Sequence, residues 1–146
     1  MKTDSLQDLF INELGDLYSA GSQVLKVLPK MAEAAIAPEL RQLFQSQIIQ
    51  ARAQVERIET VAKTLGIEAI SKRCRGMEGL VEETEEMIAE RAASHARDAG
   101  LSLKALRMQH YLRAAGMARR APTRCSRWKP QTRANKLRVK MRCGLT

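Results

Sequence analysis

Residues 9–32 read LFINELGDLYSAGSQVLKVLPKMA, and the spacing inside that stretch decides the fold. Phe10, Leu14, Leu17, Gly21, Val24, Leu28 and Met31 fall alternately four and three residues apart, which places all of them on one seam of a single long helix. The spacing predicts this helix between Thr3 and Ile36, with Thr3 or Asp4 as its cap. Pro29 lacks an N–H and crowds the preceding turn, so a bend or an early stop is expected there.

Ala37-Pro38 breaks the pattern, and a second seam follows: Leu40, Phe44, Gln47, Ala51, Gln54, Ile58, Val61 and Leu65, ending at Gly66. The short link makes these two helices antiparallel neighbours. A third, shorter stretch turns Met77, Leu80, Val81, Thr84, Met87 and Ile88 inward, while Glu82, Glu83, Glu85 and Glu86 form a solvated acidic face. A fourth helix begins near Ala92, with Ala99, Leu101, Leu103, Leu106, Met108 and Tyr111 available for burial. Aromatic residues make up only 3% of the chain against 45% apolar, a balance suited to helix packing. The fold class read from these patterns is all-α, an antiparallel helical bundle.

Charge divides the chain. Residues 1–90 carry 10 Lys/Arg against 15 Asp/Glu, and residues 91–146 carry 15 against 1, so a net charge of −5 is joined to one of +14. Past Leu112 the text is Arg-rich, broken by Pro122 and Pro130, and has no sustained apolar period. The expected organisation is one bundle domain over 1–112 and a basic, poorly ordered tail over 113–146. Cys74, Cys125 and Cys143 are odd in number, lack a CxxC spacing and follow no signal peptide, which fits a reducing cytoplasm. No apolar run approaches the ~20 residues of a membrane span.

Several segments resemble the YciE/YciF group of ferritin-like bacterial stress-response proteins. They are residues 9–20, the Leu28-Pro29-Lys30-Met31-Ala32 that follows, Val55-Glu56-Arg57-Ile58, and above all Cys74-Arg75-Gly76-Met77-Glu78-Gly79-Leu80-Val81-Glu82-Glu83. Arg97-Asp98-Ala99-Gly100-Leu101 and His110-Tyr111 extend the likeness to about residue 111. The resemblance implies a ferritin-like four-helix bundle, dimeric, with a di-iron centre held by inward carboxylates. Iron is a hard ion that prefers oxygen ligands, and a bundle interior can supply them from facing helices.

Where the family's pattern has Glu, this chain has Gly21, Gln50 and Gln109. Counted from the turn near residue 36, positions 21 and 50 stand at about the same height on the two antiparallel helices, so they are expected to face one another. Gln47 and Gln54 lie one turn either side of Gln50, which predicts an internal amide network in place of a metal site. Glu13, Glu56 and His110 are the remaining candidate metal ligands. The structural alternative for Glu13 and Glu56 is a carboxylate paired with a base such as Arg57, and for His110 a packed or solvated ring.

The likeness stops after Tyr111. One synonymous back-translation of residues 116–124, GGT ATG GCA CGG CGC GCA CCT ACG CGC, reads Tyr-Gly-Thr-Ala-Arg-Thr-Tyr-Ala from its third base, which is text of the family's kind. A changed reading frame near residue 112 is the expectation that unites the charge jump, the late cysteines and the missing last helix. A bundle without that helix leaves apolar seams for a homo-oligomeric partner, a dimer in the simplest case. The leading reading is a non-enzymatic bundle protein without a cofactor. The alternatives are a ferroxidase-type di-iron protein using Glu13, Glu56 and His110, and nucleic-acid binding by tail residues such as Arg119, Arg120 and Arg124, with Trp128 for stacking.

Overall fold

A computed structural model describes residues 6–67, 72–90 and 94–117. Four helices occupy them: α1 (Leu6–Ala34), α2 (Pro38–Thr64), α3 (Arg75–Ala89) and α4 (His95–Met117). Among these residues no helix is long and apolar enough to cross a membrane. The positions expected to cap α1, Thr3 and Asp4, lie outside the described residues, as does the chain beyond Met117. α4 itself runs five residues past Leu112.

α1 is the spine. It packs against each of the other three helices, whereas the main neighbour of α2 is α1 alone. The predicted seam is buried from Leu14 to Met31, with Phe10 half-buried, and Ala20, Val27, Ala32 and Ala35 widen it so that two faces are covered. Pro29 neither bends the reading nor stops it early, since α1 continues to Ala34. Pro29 is exposed between the fully buried Leu28 and Met31, so packing on both sides holds the turn whose hydrogen bond it removes.

The other seams are shifted from their expected registers. α2 buries Phe44, Ala51, Val55, Ile58 and Ala62, leaving Gln54 and Val61 turned outward. α4 buries Asp98, Leu101, Ala105 and Met108, while Ala99, Leu103 and Leu106 are exposed. Both shifts have one origin. Each helix packs against α1 on a narrow stripe and has little on its opposite side, so apolar residues flanking that stripe stay in solvent. α3 follows its expectation: Met77 and Thr84 are buried, Leu80, Val81, Met87 and Ile88 pack against the core, and the Glu82, Glu83, Glu85, Glu86 face is exposed. Lys30 pairs with Glu85 at 2.6 Å, and Lys104 and Arg107 converge on Glu83.

Helix ends are closed with specific chemistry. α2 finishes in a full Schellman turn, in which Gly66 at φ 69° lets its own N–H reach the Lys63 carbonyl and the Ile67 N–H reach the Ala62 carbonyl. The α1–α2 turn is clamped from α4. Asp98 accepts hydrogen bonds from the N–H groups of Ile36 (3.0 Å) and Ala37 (2.8 Å), while Arg97 donates to the Ala34 carbonyl at 2.8 Å and Arg41 to the Ala35 carbonyl at 3.0 Å. Backbone hydrogen bonds from Ile36 hold the Asp98 carboxyl below the usual carboxylate range against the opposing effect of burial; those from Ala37 and the nearby His95 and Arg97 charges add to it.

Asp98→Ala should therefore lower stability by about 2 kcal/mol, because two buried donors lose a charged acceptor. A depressed folded-state pKa contributes stability above the unfolded value, near ~3.9, that is lost as pH falls through the folded one. Urea midpoints measured from pH 6 to pH 2 should show a shallower acid loss in Asp98→Asn than in the parent chain.

Candidate functional site

The absence of a helix across from α1, between α2 and α4, leaves a cleft of about 660 Å³. Its floor is apolar, formed by Leu17, Val24 and Leu28 of α1, Ala51, Val55 and Ile58 of α2, and Leu112 of α4. Its walls carry Gln47, Gln50 and Gln54 from α2 and Gln109 from α4, with Arg57 and Arg113. Gly21 and Gly116 complete it. The three positions singled out from sequence, Gly21, Gln50 and Gln109, thus share one cavity, as the height count along the first two helices anticipated for two of them.

Gly21 keeps the floor low. A Cβ at that position would meet the Val55 side chain at 3.0 Å, tighter than ordinary contact, so the close approach of α1 and α2 here depends on the missing side chain. The expected internal amide network is not formed. Gln50 and Gln54 are exposed, Gln47 and Gln109 half-buried, and no hydrogen bond joins any two of them among the described residues. With α2 lacking a second neighbour, these amides face solvent rather than each other. Arg57 and Arg113 are exposed and have no ion-pair partner among the described residues.

Glu13, Glu56 and His110 are not gathered into this cleft. Glu13 is half-buried on α1, Glu56 and His110 are exposed, and Glu56 makes no ion pair with Arg57 among the described residues. No group of three or more His, Cys, Asp or Glu side chains there is placed to hold a metal ion. The donor set of the cleft is amide and guanidinium. Neutral amides are poor ligands for iron and guanidinium carries no lone pair to give, so these residues do not fit a di-iron centre.

Sequence reasoning missed a second polar cluster, on the α3 side of α1. Cys74, the residue preceding α3, is fully buried. Its Sγ lies 3.0 Å from the Tyr111 hydroxyl and 3.3 Å from Asp16 Oδ2, which also accepts from Tyr111 at 3.3 Å. Lys72 sits 3.3 Å from the other Asp16 oxygen. The Cys74 N–H donates to Ser19 Oγ, and Gln23 donates to the Cys74 carbonyl, so the strand of chain entering α3 is held to α1 by main chain and side chain together. Burial pushes the Cys74 thiol up, and the Cys74 hydrogen bond followed by burial pushes the Tyr111 phenol above its usual range. A thiol so placed is protonated and unreactive at neutral pH. Gly76 makes room for this cluster, since a Cβ there would stand 2.8 Å from the Tyr111 hydroxyl. The signal was present in Cys74-Arg75-Gly76-Met77, but only the fold shows that its cysteine and glycine both serve Tyr111, thirty-seven residues from the cysteine.

Comparison with known proteins agrees with the segments quoted above. The family profile described as "Domain of unknown function (DUF892)" matches residues 5–115. Protein YciF of Escherichia coli (strain K12) is 35% identical over 112 residues, which span 76% of this chain and 68% of YciF. The crystal structure of that stress protein superposes with a TM-score of 0.73 at 34% identity, covering 79% of this chain and 74% of the other. YcfI of Rhodopseudomonas palustris, described as a candidate structural protein, gives 0.75 at 32% identity over 80% and 75%.

Tyr111→Phe should cost about 1 kcal/mol in urea unfolding, the scale of one lost buried hydrogen bond. Raised folded-state pKa values contribute stability that is present below the unfolded value, near ~8.5 for a thiol, and lost as pH climbs through the folded one. The parent chain should thus lose stability between pH 8 and 10, and Cys74→Ala should flatten that decline. Peptide mapping after iodoacetamide at pH 7.5 should find Cys74 unmodified unless the chain is first unfolded.

Proposed function

The chain belongs to the YciF-like family described as DUF892, and on that premise we propose that it is a non-enzymatic, ferritin-like stress-response protein whose di-iron site has degenerated. The observation that carries this reading is the shared cleft of Gly21, Gln50 and Gln109, whose lining includes no carboxylate and no imidazole. Replacing one Glu of a di-iron set leaves the remaining carboxylates crowded together without their cation. Like charges at close range disfavour one another, so loss of the metal and loss of the other carboxylates belong together. Neutral amides relieve that repulsion at similar size, and the cations Arg57 and Arg113 further disfavour a divalent ion in the same space.

What the cleft loses in metal chemistry it keeps in packing. The apolar floor and the clamped α1–α2 turn are intact, and both belong to the bundle rather than to any reaction. The chain's work on this reading is that of a folded surface, in line with the description of its Rhodopseudomonas relative.

Anaerobic loading with ferrous iron, desalting and metal analysis tests the proposal. The parent chain should retain only sub-stoichiometric iron, and the triple variant Gly21→Glu, Gln50→Glu, Gln109→Glu should retain more. A stoichiometric pair of irons in the parent chain, lost in Glu13→Ala, Glu56→Ala or His110→Ala, would overturn it in favour of a ferroxidase-type centre.

A further inference from the structure

We propose that the cleft between α2 and α4 is a docking groove for an amphipathic helix with acidic flanks, supplied by a different polypeptide. The proposal does not depend on the fate of the iron site. It rests on length, charge and the absence of a suitable occupant within the chain.

Length comes first. The outward stripe of α2 runs Leu43, Gln47, Gln50, Gln54, Arg57 and Val61, again at alternating spacings of four and three. Its ends are apolar and unpacked, with Leu43 49% and Val61 38% exposed, and Leu106 on the α4 side is 50% exposed. At 1.5 Å per residue this stripe is about 27 Å long. A trough of that length with an apolar floor and polar walls, open along its side, matches a helix of some eighteen residues better than a compact small molecule.

Charge selects the kind of helix. The lining holds two cations, Arg57 and Arg113, and no anion. Neither guanidinium has an ion-pair partner among the described residues. A helix that places apolar residues on the floor and Glu or Asp beside them would give both arginines bidentate partners and the glutamines acceptors.

The chain itself supplies no such helix. Residues 118–146 contain ten Lys/Arg and no Asp/Glu, the same sign as the groove, and include Pro122 and Pro130. The acidic amphipathic helix α3 has its apolar side already buried against α1 and α4, so a second copy cannot offer that apolar face and the acidic one together. The occupant is accordingly another protein.

Binding of labelled synthetic peptides to the full chain, followed by fluorescence anisotropy, tests this. The probe is an eighteen-residue peptide with leucines at helical spacing and glutamates flanking them. A control has the same composition with its leucines spread around the helix, and a third peptide carries lysine for each glutamate. The amphipathic glutamate peptide should bind at least tenfold tighter than the spread control, which reports attraction to the basic tail alone. Arg57→Glu with Arg113→Glu should weaken it at least tenfold and favour the lysine peptide instead. Gly116→Trp should weaken it as well, since a Cβ at Gly116 meets nothing within 4 Å and the indole would enter open space in the groove without disturbing the fold. Equal binding of the two glutamate peptides would overturn the proposal, as would indifference to all three substitutions in chains that still melt cooperatively. Sedimentation of the parent chain as a dimer that the double arginine reversal dissociates would overturn it in favour of a second copy as occupant.

Discussion

The two backbone N–H groups that Asp98 receives at the start of α2 set the geometry on which everything else depends. A turn between two long antiparallel helices carries free carbonyls from one and free N–H groups from the other, and both need partners. Here a single dipeptide of α4 provides them, Arg97 for the end of α1 and Asp98 for the start of α2. Each charge also opposes the partial charge of the helix end it meets. The result fixes α4 across the hairpin at one end, and the Asp16, Cys74 and Tyr111 cluster fixes α4 and the entry to α3 against α1 further along. α1 is held from both ends, and α2 is tied at the turn and along α1. Its far side has no equivalent restraint.

That asymmetry explains the cleft. A four-helix bundle normally gives each helix two neighbours, and the interior positions of all four then become apolar or chemically specialised. In this chain α3 and α4 cover one side of α1 and α2 covers another, so the polar residues Gln47, Gln50 and Gln54 sit where a bundle interior would be and yet face solvent. The metal question and the packing question are therefore the same question. Carboxylates there would need a cation to be tolerated once the site is closed, whereas amides are acceptable whether it is open or closed.

Much of this was legible from residue spacing. The seam of α1, the break at Ala37-Pro38, the stop at Gly66 and the two faces of α3 all follow from periodicity and turn chemistry, and the structure agrees with them. The seams of α2 and α4 were misjudged by one residue in places, Val61 for Ala62 and Leu106 for Ala105, because small alanines lie against α1 while larger neighbours flank them. Size is a poor guide to burial where two backbones approach closely. Pro29 was misjudged for a different reason, since the penalty of one lost hydrogen bond is local and the buried residues around it act together. The Asp98 clamp and the Cys74 cluster were hidden altogether, as each joins residues from distant parts of the chain and no local pattern encodes such a meeting. The segments that carry them had nonetheless been singled out by resemblance, without their physical reason.

Those reasons bear on what a chain of this kind can lose and still fold. Every specific contact identified among the described residues joins α1 to α2, α3 or α4, or joins α3 to α4; none requires anything to occupy the groove. Two core clusters support the same conclusion, one gathering residues of α1, α2, the Cys74 segment, α3 and α4, the other Leu14, Leu17, Ile58 and Ala62. The groove's apolar floor is largely the outer surface of these clusters, already packed from below. A helix added there would contribute burial without being needed to organise the rest, which is the condition under which an intramolecular neighbour can be exchanged for one that arrives from elsewhere. Arg57 and Arg113, held apart on α2 and α4 above that floor, then decide which helices are admitted and which are turned away.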